Sequence, residues 1–271
     1  MRKQVAVITG GSQGLGLAMA EWLVARGWRV VLAARSMEKL ESARQQLAAG
    51  EGEVLIFSVD IANYSGLEEM AQYIRSEVGG IDLLINNAGV FSTDCIEDMS
   101  VEAIERDINV SLTGSILCTR ACVGLLRPGS RLLFISSAYG IMGAAGYAVY
   151  CAVKAGLIRF AEAMRRELRS REIAVYVALP ADIDTPAFHA EPAGMPEWLS
   201  MAQARPTPLA ADVAAHRILS QCHGGRLLIF TDMTIRLLNL LQKAVPRFIL
   251  DPVLDKMFPE PTKVNPIRDV Q

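Results

Sequence analysis

Short runs of apolar and β-branched residues alternate along the chain with longer stretches in which apolar positions recur every three or four residues. The short runs are Val5 to Thr9, Arg29 to Ala34, Val54 to Val59, Leu83 to Asn86, Leu132 to Ser136, Ile173 to Leu179 and Leu227 to Phe230. Strands separated by helix-length segments predict βαβ units and a parallel sheet, because a parallel partner is reached only through a crossover. The expected architecture is α/β, a doubly wound (Rossmann) parallel sheet of about seven strands with helices on both faces.

Within the first helical stretch, Leu15, Met19, Trp22, Leu23 and Arg26 share one face, and Gly27 is placed to end the helix. The rhythm breaks between Thr185 and Leu209. Pro186, Pro192, Pro196, Pro206 and Pro208 oppose regular helix or strand over much of that segment. Long loops in compact domains are commonly functional. Phe188, Met195, Trp198 and Met201 would suit a lid over an apolar substrate, or would simply pin the loop down. No repeat or low-complexity stretch divides the chain. Residues 1–271 therefore read as a single domain, with a substrate loop at 185–209 and an apolar, basic C-terminal extension at 232–271.

Hydrophobic residues make up 51% of the sequence and charged residues 21%. That supplies enough apolar material for a sheet covered on both faces and excludes a disordered or fibrous chain. With 27 basic and 29 acidic residues, the net charge of −2 gives no field to gather nucleic acid, so no nucleic-acid partner is expected. Cys95, Cys118, Cys122, Cys151 and Cys222 show no CxxC spacing, and His189, His216 and His223 form no HxxxH pair. No metal site is expected, and reduced thiols in a cytoplasmic compartment are the simplest account. Met1 to Gln4 run straight into the first strand, leaving no room for a signal peptide, and no uninterrupted apolar run reaches the length of a spanning helix.

Candidate chemistry begins at Thr9-Gly10-Gly11-Ser12-Gln13-Gly14-Leu15-Gly16, between the first strand and the first helix. Glycines there let the backbone turn sharply and approach a pyrophosphate, whose charge is met by free N–H groups and the helix N-terminus. At the end of the second strand an acidic residue would bind the adenosine ribose and repel a 2′-phosphate. This chain has Ala33-Ala34-Arg35-Ser36 instead. Arg35 and Ser36 can donate hydrogen bonds to that phosphate, so NADP(H) is the expected cofactor.

Tyr150 and Lys154, four residues apart, share one face of a helix beginning near Gly146. A tyrosine with its ordinary pKa of about 10 is a poor base at neutral pH, and a nearby ammonium together with the nicotinamide's positive charge would favour its phenolate. Ser136 and Ser137 close the fifth strand, placed to hold a carbonyl oxygen. Asn109 falls inside the long helix before that strand, where a buried amide requires a partner.

The TGxxxGxG spacing from Thr9, the Asn86-Asn87-Ala88-Gly89 segment and Tyr150-Cys151-Ala152-Val153-Lys154 together resemble the short-chain dehydrogenase/reductase family over roughly the first 230 residues. The family's serine-to-tyrosine spacing selects Ser137 over Ser136. The resemblance implies hydride transfer between nicotinamide and a carbonyl or alcohol, with Asn109, Ser137, Tyr150 and Lys154 as the catalytic tetrad. Tyr150 would transfer the proton, Ser137 would polarise the carbonyl, and Lys154 would also hold the nicotinamide ribose. Asn109 would position a water that continues the proton path. Cofactor contacts are implied for Thr9, Gly10, Ser12, Gln13, Gly14, Leu15, Gly16, Arg35, Ser36, Asp60, Ile61, Asn87, Ala88, Gly89, Pro180, Ile183 and Thr185. Pro180-Ala181 departs from the family's Pro-Gly, which puts the local turn in question. A homodimer or homotetramer, formed through the helices carrying Asn109 and Tyr150, is likewise implied.

The stretch from Pro180 to Phe188 is similar to 3-ketodihydrosphingosine reductases, and the Ala-Arg-Ser segment also occurs in hydroxysteroid dehydrogenases. Both imply a lipophilic ketone, a 3-keto sphingoid base first and a steroid or xenobiotic carbonyl second. A non-catalytic dinucleotide sensor on the same fold is the competing class. From Met233 to Leu250 the chain carries Arg236, Lys243 and Arg247 and no acidic residue, with Pro246 breaking the helix. That segment would suit an anionic membrane surface, the substrate cleft or a partner subunit.

Overall fold

The computed structural model describes residues 2–191, 195, 199 and 207–256. Seven parallel strands are ordered β3-β2-β1-β4-β5-β6-β9. They are β1 (Val5–Thr9), β2 (Arg29–Ala34), β3 (Glu53–Ser58), β4 (Ile81–Asn86), β5 (Leu126–Ile135), β6 (Ala174–Leu179) and β9 (Leu228–Phe230). Two short strands, β7 (Ile183–Asp184) and β8 (Leu209–Ala210), pair in parallel and close the base of the long loop. The strands match the seven sequence runs to within one or two residues except β5, which starts at Leu126 and runs through Pro128 and Gly129.

Strand residues are apolar in unbroken runs because successive side chains enter two different cores. Ala6, Ile8, Val30, Leu32, Leu133 and Ile135 pack on one face beneath α1 (Gly14–Val24), α2 (Met37–Leu47) and α8 (Ala211–Leu219). Val7, Val31, Ala33, Leu84, Leu132 and Phe134 pack on the other beneath α3 (Tyr64–Glu77), α5 (Gly114–Cys122) and α6 (Ala148–Glu167). Each fully buried Leu, Ile or Phe contributes roughly 1.5–3 kcal/mol. In α1 the buried side chains are Leu15, Met19, Ala20, Leu23 and Val24, whereas Trp22 is only half-buried and Arg26 lies outside the core with its guanidinium 3.7 Å from the centre of the Trp22 ring.

Chain order reverses between β1 and β4, and a doubly wound sheet opens a crevice at that switch point, beyond the carboxyl ends of the strands. The helix expected to carry Asn109 has three parts. It begins as α4 (Val101–Ile108), widens into a π-helical turn at Asn109–Thr113 and continues as α5. By length and composition, Val101–Leu125 could cross a membrane, although Glu102, Glu105, Arg106, Asp107 and Arg120 interrupt its apolar run as expected. It packs instead against α3, α6 and β4. The proline-rich loop also holds more regular structure than its composition predicts. Pro186 takes the first position of α7 (Pro186–Ala190), where its missing N–H has no helical partner to lose. Of the apolar residues assigned to this loop, Trp198 and Met201 lie outside the described residues.

Pro246 separates α9 (Met233–Ala244) from α10 (Arg247–Asp255), as predicted. Their apolar side chains do not fill the core. Met233, Leu237, Leu240, Leu241, Phe248, Ile249 and Val253 are exposed, and Ile235 and Asn239 alone are buried among the residues of these two helices.

Candidate active site

Sequence forces the crevice open at its phosphate end. Gly10 and Gly14 adopt left-handed backbone, with φ of +65° and +56°. A Cβ on Gly16 would lie 2.3 Å from the Gly10 carbonyl oxygen, so only glycine lets α1 start this close beneath the turn. The first turn of α1 has no side-chain cap, which leaves its N–H groups facing the crevice. Thr9 fixes the loop to β4 from below. Its buried hydroxyl accepts from the Asn87 and Ala88 N–H groups at 3.0 and 3.1 Å and donates to the Ile85 carbonyl. The Asn87 side chain donates back to the Thr9 and Gly10 carbonyls.

This loop is one end of a cleft of about 410 Å³ that runs past Arg35, Ser36 and Lys39, under Asp60 and Ile61, to Ser137, Tyr150 and Lys154. Ser36 caps α2 by accepting from the Lys39 N–H, and the capping oxygen still has its own proton to donate. Lys39 donates to the Gln13 side chain at 3.2 Å and adds a second cation to this end, one the sequence reading overlooked. Its position in the first turn after the Ser36 cap is the signal that could have found it. The cradle fits a dinucleotide carrying a 2′-phosphate: room at the diphosphate, open N–H groups and two cations past the second strand.

At the other end, Ser136 and Ser137 take different work. The Ser136 hydroxyl is buried and donates to the Lys154 carbonyl at 2.8 Å, tying α6 to the end of β5. Ser137 accepts from the Tyr139 N–H and is hydrogen-bonded to Tyr150. Lys154 donates to the Ile135 carbonyl at 3.0 Å, and its Nζ lies 5.4 Å from the centre of the Tyr150 ring. Burial lowers the lysine pKa to about 8. Burial likewise pushes the Tyr150 phenol well above its ordinary range; Ser137 pulls it down, while Glu191, Tyr139 and Asp182 push it further up. These effects oppose the one expected of the Lys154 ammonium, which is expected to act together with the nicotinamide's charge. Burial and the neighbouring acids thus favour the protonated phenol.

The family model described as short chain dehydrogenase matches residues 4–195. The chain belongs to the short-chain dehydrogenase family. Among the similar curated proteins, a 3-ketodihydrosphingosine reductase of Bos taurus is 33% identical over 192 residues, covering 68% of this chain and 58% of that protein. A 3-dehydrosphinganine reductase of Arabidopsis thaliana is 37% identical over 200 residues, covering 72% and 59%. The chain thus spans less than two thirds of the length of these two relatives. A 3-oxoacyl-(acyl-carrier-protein) reductase of Escherichia coli is 34% identical over 185 residues, covering 67% and 74%. A solved short chain dehydrogenase from Burkholderia cenocepacia, in complex with NADP, superposes with a TM-score of 0.74 at 25% identity, covering 85% of this chain and 97% of that one.

Three assigned residues of this short-chain dehydrogenase sit elsewhere than predicted. Thr9 and Gly16 do not line the cleft; they shape the loop from behind. Asn109 is exposed and also off the cleft, because residues two apart on a helix face opposite ways. The buried position is Ser111, whose hydroxyl accepts from the Val90 N–H at 2.8 Å and donates to the Val90 carbonyl at 2.7 Å. A Cβ on Gly89 would find the Ser111 hydroxyl at 3.3 Å and the Lys154 Nζ at 3.9 Å. Ser111 therefore stands beside the lysine where Asn109 was assigned. The remaining assigned cofactor residues all line the cleft.

Ala181 settles the turn that Pro180-Ala181 put in question. Its N–H donates to the Thr231 hydroxyl, and among the described non-glycine residues only Glu172 has left-handed backbone. Away from the cleft, Asp94, Cys95 and Asp98 each bring a ligand atom within 4.8 Å of the others, with an Asp94 oxygen already accepting from the Cys95 N–H.

Proposed function

We propose that this protein is an NADPH-dependent ketoreductase of lipophilic ketones, with a long-chain 3-keto sphingoid base as its substrate. The observation that carries this reading is the meeting of Ser137, Tyr150 and Lys154 at the far end of a cleft whose near end holds Arg35 and Lys39. Bound NADPH supplies the hydride. Ser137 donates a hydrogen bond to the ketone oxygen, Tyr150 gives that oxygen its proton, and Lys154 holds positive charge beside the phenol so that the proton can leave. In the reductive direction Tyr150 acts as the acid, a role its burial favours. The sphingoid assignment is supported by the names of the two reductases that share 33% and 37% identity. A sensor would have no use for the proton-transfer set, which favours an enzyme. NADPH consumption measured with a 3-keto sphingoid base, a steroid ketone and a β-ketoacyl thioester tests the reading. The sphingoid ketone is expected to react fastest, and no rate with any long-chain ketone would refute it.

A peripheral membrane contact belongs to the same proposal. Phe248 and Met233 are 79% and 71% exposed, and Arg236, Lys243 and Arg247 stand on the same two helices, Arg247 paired with Asp251 at 3.7 Å. Apolar residues among sparse cations match an anionic bilayer surface. Truncation after Gly225 cannot test this, because it removes β9 from the sheet. Leu237→Glu with Phe248→Glu leaves the core intact. Flotation with phosphatidylserine vesicles should fall at least about tenfold in the double variant, and equal flotation of both forms would rule the contact out.

A further inference from the structure

We propose that Phe91 is a specificity-determining residue, whose ring walls off the reacting carbonyl on the β4 side and limits the size of the ketone's shorter arm. The inference rests on the ketoreductase reading and concerns which side chain selects among ketones. It predicts a preference for carbonyls near one end of a chain, whatever polar groups the substrate carries.

Phe91 belongs to two spaces. It lines the catalytic cleft together with Ser137 and Tyr150, and it also lines a second hollow of about 580 Å³ bounded by Ser92, Thr93, Met99, Ser100 and Ala103. Among the residues common to both, it alone carries an aromatic ring. That ring packs against the reacting phenol, with centroids 4.9 Å apart and planes tilted by 46°. Tyr139 meets the same phenol ring edge-on, with centroids 6.0 Å apart. An arm of the ketone that turns toward the segment after β4 therefore meets Phe91 before it can reach the second hollow.

A wall excludes only if it cannot swing aside, and the chain on both sides of Phe91 is tied down. The Val90 N–H and carbonyl are both bonded to the Ser111 hydroxyl, at 2.8 and 2.7 Å. Ser92 accepts from the Arg106 guanidinium at 2.6 Å, and that guanidinium also donates to the buried Asp107 at 2.9 Å. Two residues further on, the Asp94 N–H donates to the Gly146 carbonyl at 3.0 Å, just before the helix that carries Tyr150. Phe91 is thus fixed relative to the phenol through α4, the π-helical turn and α6. Packing of this kind does not yield freely to an added methylene, so each carbon in the shorter arm is felt. Phe91→Ala would take away the ring that separates the two spaces and give a longer arm somewhere to go.

Dodecan-3-one and dodecan-6-one are isomers that differ in the shorter arm, ethyl against pentyl. NADPH consumption by the full chain should favour dodecan-3-one by at least about tenfold in kcat/KM, since a single methylene in an apolar pocket changes it by about 10–200-fold. Phe91→Ala should bring the ratio close to one, Phe91→Leu should fall between, and Phe91→Tyr, which keeps the ring, should preserve the preference. The ratio is read rather than the rate, because losing a ring packed on Tyr150 slows both isomers alike. Equal kcat/KM for the two isomers in the unaltered protein, or a preference that Phe91→Ala and Phe91→Leu both leave intact, overturns the proposal. If no ketone is reduced, the ketoreductase reading fails, and titration of the NADP-loaded protein with dodecan-3-ol and dodecan-6-ol decides on Phe91 by itself. Tighter binding of dodecan-3-ol that weakens to parity in Phe91→Leu sustains the size limit, and equal binding by the unaltered protein refutes it.

Discussion

Tyr150→Phe is expected to lower turnover by about 10²–10⁴-fold, the range in which a positioned proton donor contributes, while leaving NADPH binding within about twofold. The substitution removes one oxygen from a ring whose packing survives it. Phe91, Tyr139 and Tyr147 contact the ring faces and edges, and Lys154 keeps its bond to the Ile135 carbonyl. What disappears is the hydroxyl bonded to Ser137, the group that the proposed reaction uses to give its proton to the ketone oxygen. The contrast between binding and chemistry makes the result diagnostic. Fluorescence titration reports the cofactor affinity and steady-state NADPH consumption reports turnover. A variant with more than about a tenth of the original rate would mean that the proton comes from elsewhere, since removing a general acid has a larger effect than that. Loss of both quantities together would mean that the ring holds the cleft's shape rather than the reaction.

The sheet was readable because burial on both faces leaves continuous apolar runs, and the phosphate loop because glycine alone tolerates its backbone. Tyr150 and Lys154 were readable for a local reason, four residues on one helix. Asn109 misled because residue type was visible and helix face was not. A π-helical turn covers Asn109–Thr113, so regular spacing does not carry through it. Another signal was nevertheless present: Ser111, Ser115 and Thr119 recur at four-residue intervals along one face of the helix. In the fold they form a buried chain in which the Ser115 hydroxyl donates to the Ser111 carbonyl and Thr119 to that of Ser115, with the Asn86 amide donating to Thr119. A polar row on a core-facing helix needs such partners, and it marks the buried face. The aromatic wall beside Tyr150 had no comparable signature. Phe91 follows β4, Tyr139 follows β5 and Tyr147 precedes α6, so only the folded chain brings them together.

Arg35→Asp should reverse the cofactor preference, lowering the NADPH to NADH ratio of kcat/KM by about 10²-fold or more, because a charge-assisted hydrogen bond is lost and a like-charge repulsion replaces it. Arg35 follows β2 at the lip of the cleft and is exposed, so the side chain has no packing role whose loss would confuse the result. Exposure also predicts how the effect responds to salt. Between 0.1 M and 1 M ionic strength the screening length falls from about 10 Å to about 3 Å, and the unaltered protein's preference for NADPH should shrink accordingly. Lys39 provides the internal control. Its ammonium, bonded to Gln13 on the phosphate loop, stands near the same end of the cleft. Lys39→Ala should weaken NADPH by less than the charge reversal at Arg35 does and should leave NADH nearly unaffected. If Arg35→Asp shifted the ratio by less than about fivefold and Lys39→Ala by more, the phosphate would be held by the lysine, and the Ala-Arg-Ser segment would not be what chooses the cofactor.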